Sequence, residues 1–437
     1  MCFHHLLPTF CLLWIAGAPL ICAQNLTAQA LPVEGTPFAA DFAGFDSQQN
    51  IKLKVGNKLR IMPAAELVRW GNYRDVETGP QILLASGGLL RADVLSLSET
   101  ELFIGDASGL GSVLWDESAL PTEAVCGLLW QPPADPLARD RLQFKLLSLP
   151  AGDDQVLLAG GEALSGTLLS VPPAGRFAEQ LNKQEAAAAE VFTLQVPRAE
   201  MPLQIAANKV VAVRFGSAEV SSPAARQAFA RVGFRDGSWL VASKFESVRD
   251  AFHVHLPGGG KLTANNAFGD GSAEWFWKQV SLLQPTSDRI VYVSDLQPIG
   301  YKHLPFLSGE WKYGSDQNVL GGQLRTREQV YLKGLGMFPA SRLAYTLDGK
   351  FRRLQGTLAL DDRAGLQGSV TFRVLLEDAN SQWSNAYESP VIRGGDAQPA
   401  ELSLDVKNAQ RIAILVDFAD RGDQCDYANW LDLRLLK

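Results

Sequence analysis

The chain is poor in cysteine and histidine: five of each in 437 residues. Cys2, Cys11, Cys22, His4 and His5 fall within the first 23 residues, which leaves Cys126, Cys425, His253, His255 and His303 for the rest. Two cysteines so far apart make no disulfide framework, and the supply argues against a Cys/His zinc cluster. A cationic excess is missing too: 40 Lys+Arg face 47 Asp+Glu, a net charge of −7. No nucleic-acid partner held by a general basic field is therefore expected. Beyond residue 23 no charge-free apolar run reaches membrane-spanning length, so no later transmembrane segment is expected. Gly-x-Ser-x-Gly, His-Glu-x-x-His and phosphate-loop motifs are absent. "GLGSVL" (Gly109–Leu114) and "GLGMFP" (Gly334–Pro339) lack the third glycine of a dinucleotide loop.

The first 23 residues carry no Lys, Arg, Asp or Glu, and Leu6 to Ala23 are almost wholly apolar. This reads as a secretory signal peptide with cleavage after Ala23 or Ala30, and predicts a secreted, periplasmic or cell-envelope protein. An uncleaved anchor helix is the alternative. With 39 Gly and 23 Pro, turns are frequent. Helical periodicity is scarce and short alternating runs dominate, which predicts an all-β protein. In "VTFRVLL", Val370, Phe372 and Val374 share one face; in "RIAILVDF", Ile412, Ile414, Val416 and Phe418 form one stripe. Arg176 to Val191 is the best helix candidate, read as a surface insert or a flexible loop. Before residue 288 the pattern echoes itself: two strands around a turn at Gly87-Gly88, Gly160-Gly161 or Asp236-Gly237, another strand, then an apolar strand. The expected division is 24–150, 151–230 and 231–287, as small β-barrel-like or stacked β-units, then 288–437.

From about Arg289 the text changes. Tyr292, Ser294, Asp295 and Leu296 lead to a Tyr-x-Lys-Gly-Leu-Gly core at Tyr331, Lys333, Gly334, Leu335 and Gly336. Asp361-Asp362 and a closing motif at Asp426, Ala428 and Trp430 follow. This segment resembles the NPCBM domain associated with glycoside hydrolase family 98, related to carbohydrate-binding module family 51. The resemblance implies a jelly-roll, galactose-binding-like β-sandwich that binds galactose-type glycans and commonly holds structural calcium. Two positions depart from the family pattern. Phe338-Pro339 stands where a His-Ala pair is usual, and Tyr427 and Asn429 replace a His and an Asp of the closing motif.

A sugar site needs an aromatic face and planar polar groups. Trp311, Tyr313, Asp316 and Asn318 supply both, and Arg342 and Trp383 are expected to complete the cleft; the plainer reading makes Trp311 and Trp383 loop anchors. Asp417, Asp420, Asp423 and Asp426 recur every three residues. Asp417, Asp423 and Asp426 are the candidate Ca²⁺ ligands, with a solvated acidic turn as the plainer reading. Asp361-Asp362 either shares that role or caps a backbone turn. His253 and His255 share a strand face but make a poor metal site alone. The reading is a non-catalytic carbohydrate-binding protein. A glycosidase using the module for targeting and a structural envelope protein are the alternatives, since glycosidase carboxylates are set by geometry rather than spacing.

Overall fold

A computed structural model describes residues 28–437 apart from 77–78, 106–113, 174–190, 219–227, 249–250, 258, 266–272, 307–308 and 421. The expected signal segment and nearly all of the expected helical insert lie outside the described residues; Val191, at the end of that insert, begins a strand. Among the described residues no helix is long and apolar enough to cross a membrane.

The protein is nearly all β, as the alternation predicts. Its N-terminal part assembles one succession of elements four times, over residues 29–71, 81–129, 154–214 and 230–285. In the second, Gln81–Leu84 and Gly88–Arg91 form a hairpin. Asp93–Leu97, Glu101–Gly105 and Ser118–Pro121 form a three-stranded meander, and a 3-10 turn then leads into Val125–Leu129, which returns to pair with Gln81–Leu84. The turn glycines explain the hairpins: Gly87, Gly161 and Gly237 have φ of 79°, 93° and 87°, a region glycine enters without steric cost. Each last strand follows a helical turn, which is 3-10 in the first three and the short helix Glu274–Gln279 in the fourth.

The four successions fuse into one 14-stranded antiparallel sheet. Their order in space is third, second, fourth, first. Val125–Leu129 pairs with Val210–Arg214, Gly88–Arg91 with Trp239–Ala242, and Val280–Pro285 with Leu67–Gly71. One core runs beneath, with Trp115, Phe192, Phe234 and Phe276 almost fully buried. The helix Pro136–Leu147 starts on an Asp135 cap whose carboxylate accepts the Ala138 N–H at 2.7 Å, with proline in its first turn.

Residues 290–436 form a two-sheet sandwich. The first sheet runs Gly314–Ser315, Gly334–Met337, Ala428–Leu436, Arg353–Leu360, Ala400–Asp405. The second runs Gly300–His303, Ser341–Thr346, Arg411–Phe418, Ser369–Glu377, Trp383–Glu388. Their inward faces enclose a core centred on Trp430, Tyr345, Phe372 and Ile414. The sandwich docks on the N-terminal part through Val33, Val68, Ile290, Tyr292 and Leu436, and through Tyr73, Leu282 and Val330. Charged groups are buried there as well. Arg325 of the sandwich reaches Asp75 at 2.6 Å and Asp140 of the helix at 3.1 Å.

Candidate functional site

The Tyr-x-Lys-Gly-Leu-Gly core builds the scaffold of the sandwich rather than its surface. Lys333 is wholly buried, and its ammonium donates to Asp295 at 2.6 Å and Asp316 at 2.5 Å. A buried ammonium needs that pairing. It explains why Asp295 and Lys333 occur together, and it assigns Asp316, expected at a sugar site, to this clamp. Gly334 and Gly336 are required by close approach: an added Cβ would meet the Trp430 carbonyl at 2.3 Å and the Val319 nitrogen at 2.4 Å.

Asn318 is a second scaffold residue. It is buried, its amide donating to the Gln323 carbonyl and to Asp361, and its oxygen accepting the Leu320 and Gly322 N–H groups. Asn429 donates to the same Asp361 oxygen at 2.9 Å. An aspartate at position 429 would set two carboxylates together there, so the departure from the family pattern suits this site. Asp361 also accepts the Arg363 N–H, and Asp362 the Arg327 and Glu328 N–H groups. Both therefore hold backbone turns, the plainer of their two readings.

Trp311 lies at one end of the sandwich. Its half-buried indole stacks on Phe338 at 4.7 Å and 29°, and Phe338 in turn contacts Tyr427 at 5.9 Å. Its backbone is held twice: the Tyr301 hydroxyl donates to its carbonyl at 2.5 Å, and its N–H donates to His303 Nδ1 at 3.2 Å. His303 Nε2 faces the Pro339 carbonyl at 3.1 Å, so it carries the ring proton. Phe338 and Tyr427, two of the positions that depart from the family pattern, are thus the rings beneath Trp311. Tyr313 turns inward against Tyr301 at 5.2 Å and packs on the core.

Arg342 and Trp383 do not share one cleft. Both stand on the outward face of the second sheet, in different rows: Arg342 aligns with Leu415 and Arg373, and Trp383 with Glu377, Arg411 and Thr346. Three strand spacings and four residues of rise separate them, on the order of 20 Å. Trp383 sits at the sheet edge, 5.7 Å from the Arg411 guanidinium, which pairs with Glu377.

The three candidate calcium ligands are not brought together as a set either: Asp423 lies beside Asp426, whose N–H donates to the Asp423 carbonyl at 3.4 Å, without Asp417 joining them. Asp417 pairs with Arg373, whose Nε lies 2.7 Å away, and Asp420 pairs with Arg393. Among the described residues no three His, Cys, Asp or Glu side chains are placed to hold a metal ion. The three-residue spacing failed because Asp417 lies within a strand and is claimed by its cross-strand neighbour. Asp426 is buried; one oxygen accepts the Ser369 N–H at 2.6 Å and the other has no hydrogen-bond partner among the described residues. Burial first, then the charge of Asp423, pushes its pKa up to about 7 against the pull of the Ser369 bond. A carboxyl that binds its proton more tightly when folded stabilises below its unfolded value near 4 and loses that contribution as pH rises to about 7. Asp426→Asn is therefore expected to melt progressively higher relative to the wild type as pH is raised from 4 to 8. A melting difference that stays flat with pH would show that Asp426 does not titrate in this way.

The histidine pair is an ordinary polar stripe: His253 contacts Thr263 Oγ1 at 3.2 Å and His255 contacts Glu246 at 3.1 Å. Cys126 and Cys425 are both free. A cavity of 380 Å³, which sequence reasoning missed, opens where the sandwich meets the N-terminal part. Trp239, Phe144 and Tyr331 lie along its wall. It draws on loops distant in sequence, so no local motif marks it. Among the described residues three carboxylates line it: Asp140, which pairs with Arg325, and Asp295 and Asp316, which pair with Lys333.

Comparison with known proteins follows the same division of the chain. Residues 289–436 match the family model of the NPCBM/NEW2 domain. No curated protein matches the chain by sequence. Solved structures similar to it include the CBM51 module of a Clostridium perfringens GH95 protein in complex with methyl-galactose. That module is 18% identical, with 33% of this chain and 99% of that one covered and a TM-score of 0.30. The CBM51-2 and INT domains of Clostridium perfringens ZmpB, in complex with GlcNAc, are 20% identical over 45% of this chain and 40% of that one, at 0.30. The tandem CBM51 modules of a family 98 glycoside hydrolase from Streptococcus pneumoniae are 20% identical over 34% and 47%, at 0.29. The C-terminal sandwich, residues 289–436, is an NPCBM/NEW2 domain.

Proposed function

We propose that the sandwich binds carbohydrate, with galactose-type glycans as its ligand class, and that the chain is an exported, non-catalytic binding protein. The observation that carries the reading is Trp311: a half-buried ring with one face on Phe338 and its backbone tied on both sides. A ring fixed before binding loses little freedom when a sugar stacks on it. The NPCBM resemblance supports the galactose class. The charge-free stretch of residues 1–23 supports export. The pairing of the carboxylates at the cavity, Asp140 with Arg325 and both Asp295 and Asp316 with Lys333, supports the non-catalytic part, because an acid–base pair needs a carboxyl free to exchange a proton.

Trp311→Ala is expected to weaken a modest sugar complex about five- to tenfold, the value of about 1 kcal/mol or more for one stacked ring, while leaving the melting temperature close to the wild type. Calorimetric titration beside thermal melts reads both. A wild type that binds while Trp311→Ala binds equally well would remove Trp311 from the site. One observation favours a second reading, a structural sandwich without sugar binding: Phe338 and Tyr427 put rings where the family pattern has histidines. A broad glycan array, run with and without calcium, decides between the two. Silence in both conditions selects the structural reading, and a signal only with calcium adds the cation that the described carboxylates do not by themselves assemble.

A further inference from the structure

The outward face of the second sheet carries a row of residues in register. Lys302 stands opposite Arg342, Arg342 opposite Leu415, and Leu415 opposite Arg373. Side chains directly opposite on neighbouring strands have Cβ atoms about 5 Å apart, and like charges so placed are destabilising. Lys302 and Arg342 are such a pair. Both are exposed, and among the described residues neither side chain makes an ion pair or a hydrogen bond. Arg373 is the third cation, and the anions of this row sit on its side: Asp417 pairs with Arg373, and Glu388 stands opposite it on the edge strand, away from Lys302 and Arg342. The chain as a whole carries a net charge of −7, so this face runs against its general field.

The same residues border a groove of 230 Å³ in which Leu304, Ala340 and Leu415 supply the apolar surface. Ser341, also on its border, is 5% exposed and has a buried Oγ without a hydrogen-bond partner. An uncompensated pair of cations over a small apolar floor fits one kind of ligand: a ring with C–H faces and a negative group at its rim. A nucleic acid would need a far wider basic field. An anionic membrane would be repelled by the acidic remainder of the chain, although Ile299, Leu304 and Phe306 are exposed nearby.

We propose that this groove is a second glycan site, specific for acidic polysaccharide. The acidic group is held by Lys302 and Arg342, and the sugar ring lies on Leu304 and Leu415. Trp311 is not among the residues that line the groove, so silence toward neutral galactose-type glycans leaves the proposal standing.

The test uses the full chain, with polygalacturonate, its methyl-esterified form, dextran sulfate, and phosphatidylglycerol vesicles as probes. Polygalacturonate or dextran sulfate is expected to bind, and the stronger of the two identifies carboxylate or sulfate as the preferred group. Binding should weaken as salt rises, and the methyl ester should bind at least tenfold more weakly than the acid. The double variant Lys302→Ala/Arg342→Ala should lose at least tenfold in affinity for the acidic polymer, yet melt no lower than the wild type because the repulsion is gone. Arg342→Lys, which keeps the charge, should retain more binding than Arg342→Ala. Equal binding of the ester and the acid, undiminished binding by the double variant, vesicle binding without polysaccharide binding, or no binding of any acidic probe would each overturn the proposal.

Discussion

Arg325→Met is expected to destabilise the protein by about 3–5 kcal/mol, the usual loss when one partner of a buried ion pair is removed. The guanidinium is 4% exposed and the Asp140 side chain 1%. It serves two carboxylates at once: Asp75 at 2.6 Å, and Asp140 at 3.1 and 3.2 Å. Asp75 keeps Arg139 at 2.6 Å, but Asp140 is left with the Gln323 N–H at 3.3 Å and, as its nearest remaining charge, Arg363 at 4.0 Å. Methionine fills the space and supplies no donor, so the expected loss is that of a stranded charge rather than of packing. Burial opposes the ionisation of Asp75, yet Arg325 and Arg139 outweigh it and hold its pKa below the ordinary carboxylate value. A lowered carboxylate stabilises above its unfolded pKa near 4 and loses that contribution as pH falls through the folded value. Urea titrations at neutral pH and near pH 3 should therefore separate wild type and variant most at neutral pH. A gap that is equally wide at both would show that the network contributes no ionic stability.

The second large effect lies in the sandwich core. Trp430→Ala is expected to cost about 3–5 kcal/mol, the range for a buried large aromatic. Its ring is fully buried, meets Phe372 edge-on at 5.0 Å, and stands opposite Leu335 and Leu358 on the flanking strands. Its indole nitrogen has no hydrogen-bond partner among the described residues. Trp430→Phe should therefore lose clearly less than alanine, since it keeps a ring and removes a buried donor that nothing satisfies. Denaturant midpoints of the three proteins check this. If phenylalanine proves as costly as alanine, the indole shape itself is what the core requires. Trp311 is the opposite case: that ring should matter for ligand and little for stability.

Much of this was legible in the sequence wherever one face of a strand is buried. The alternation in 369–377 and 411–418 became strands with Val370, Phe372, Val374, Ile412, Ile414 and Val416 inside. The turn glycines marked the hairpins, whereas the helix Pro136–Leu147 was not read from the sequence, because its residues carry little helical periodicity. The site was less legible because its residues are assigned by partners distant in sequence. Asp316 and Asn318 belong to Lys333 and Asp361. Asp417 belongs to Arg373, a neighbour fixed only once the strands are ordered. Trp383 was separated from Arg342 by the order of strands in the second sheet, which no local pattern encodes. The docking of the two halves through Arg325, Asp75 and Asp140 likewise joins positions 185 and 250 residues apart.

The strand order of the 14-stranded sheet limits how this chain can change length. In a solenoid, neighbours in sequence are neighbours in space, and one module can be dropped or duplicated with the stack closing behind it. Here the second and fourth successions are joined through their hairpins, the third and second through their last strands, and likewise the fourth and first. Deleting residues 81–129 would cut the sheet between Val210–Arg214 and Trp239–Ala242, baring an open strand edge on each side of the gap. Shortening from within is thus blocked by edge exposure, and viable relatives of this architecture should differ at its ends rather than in its middle.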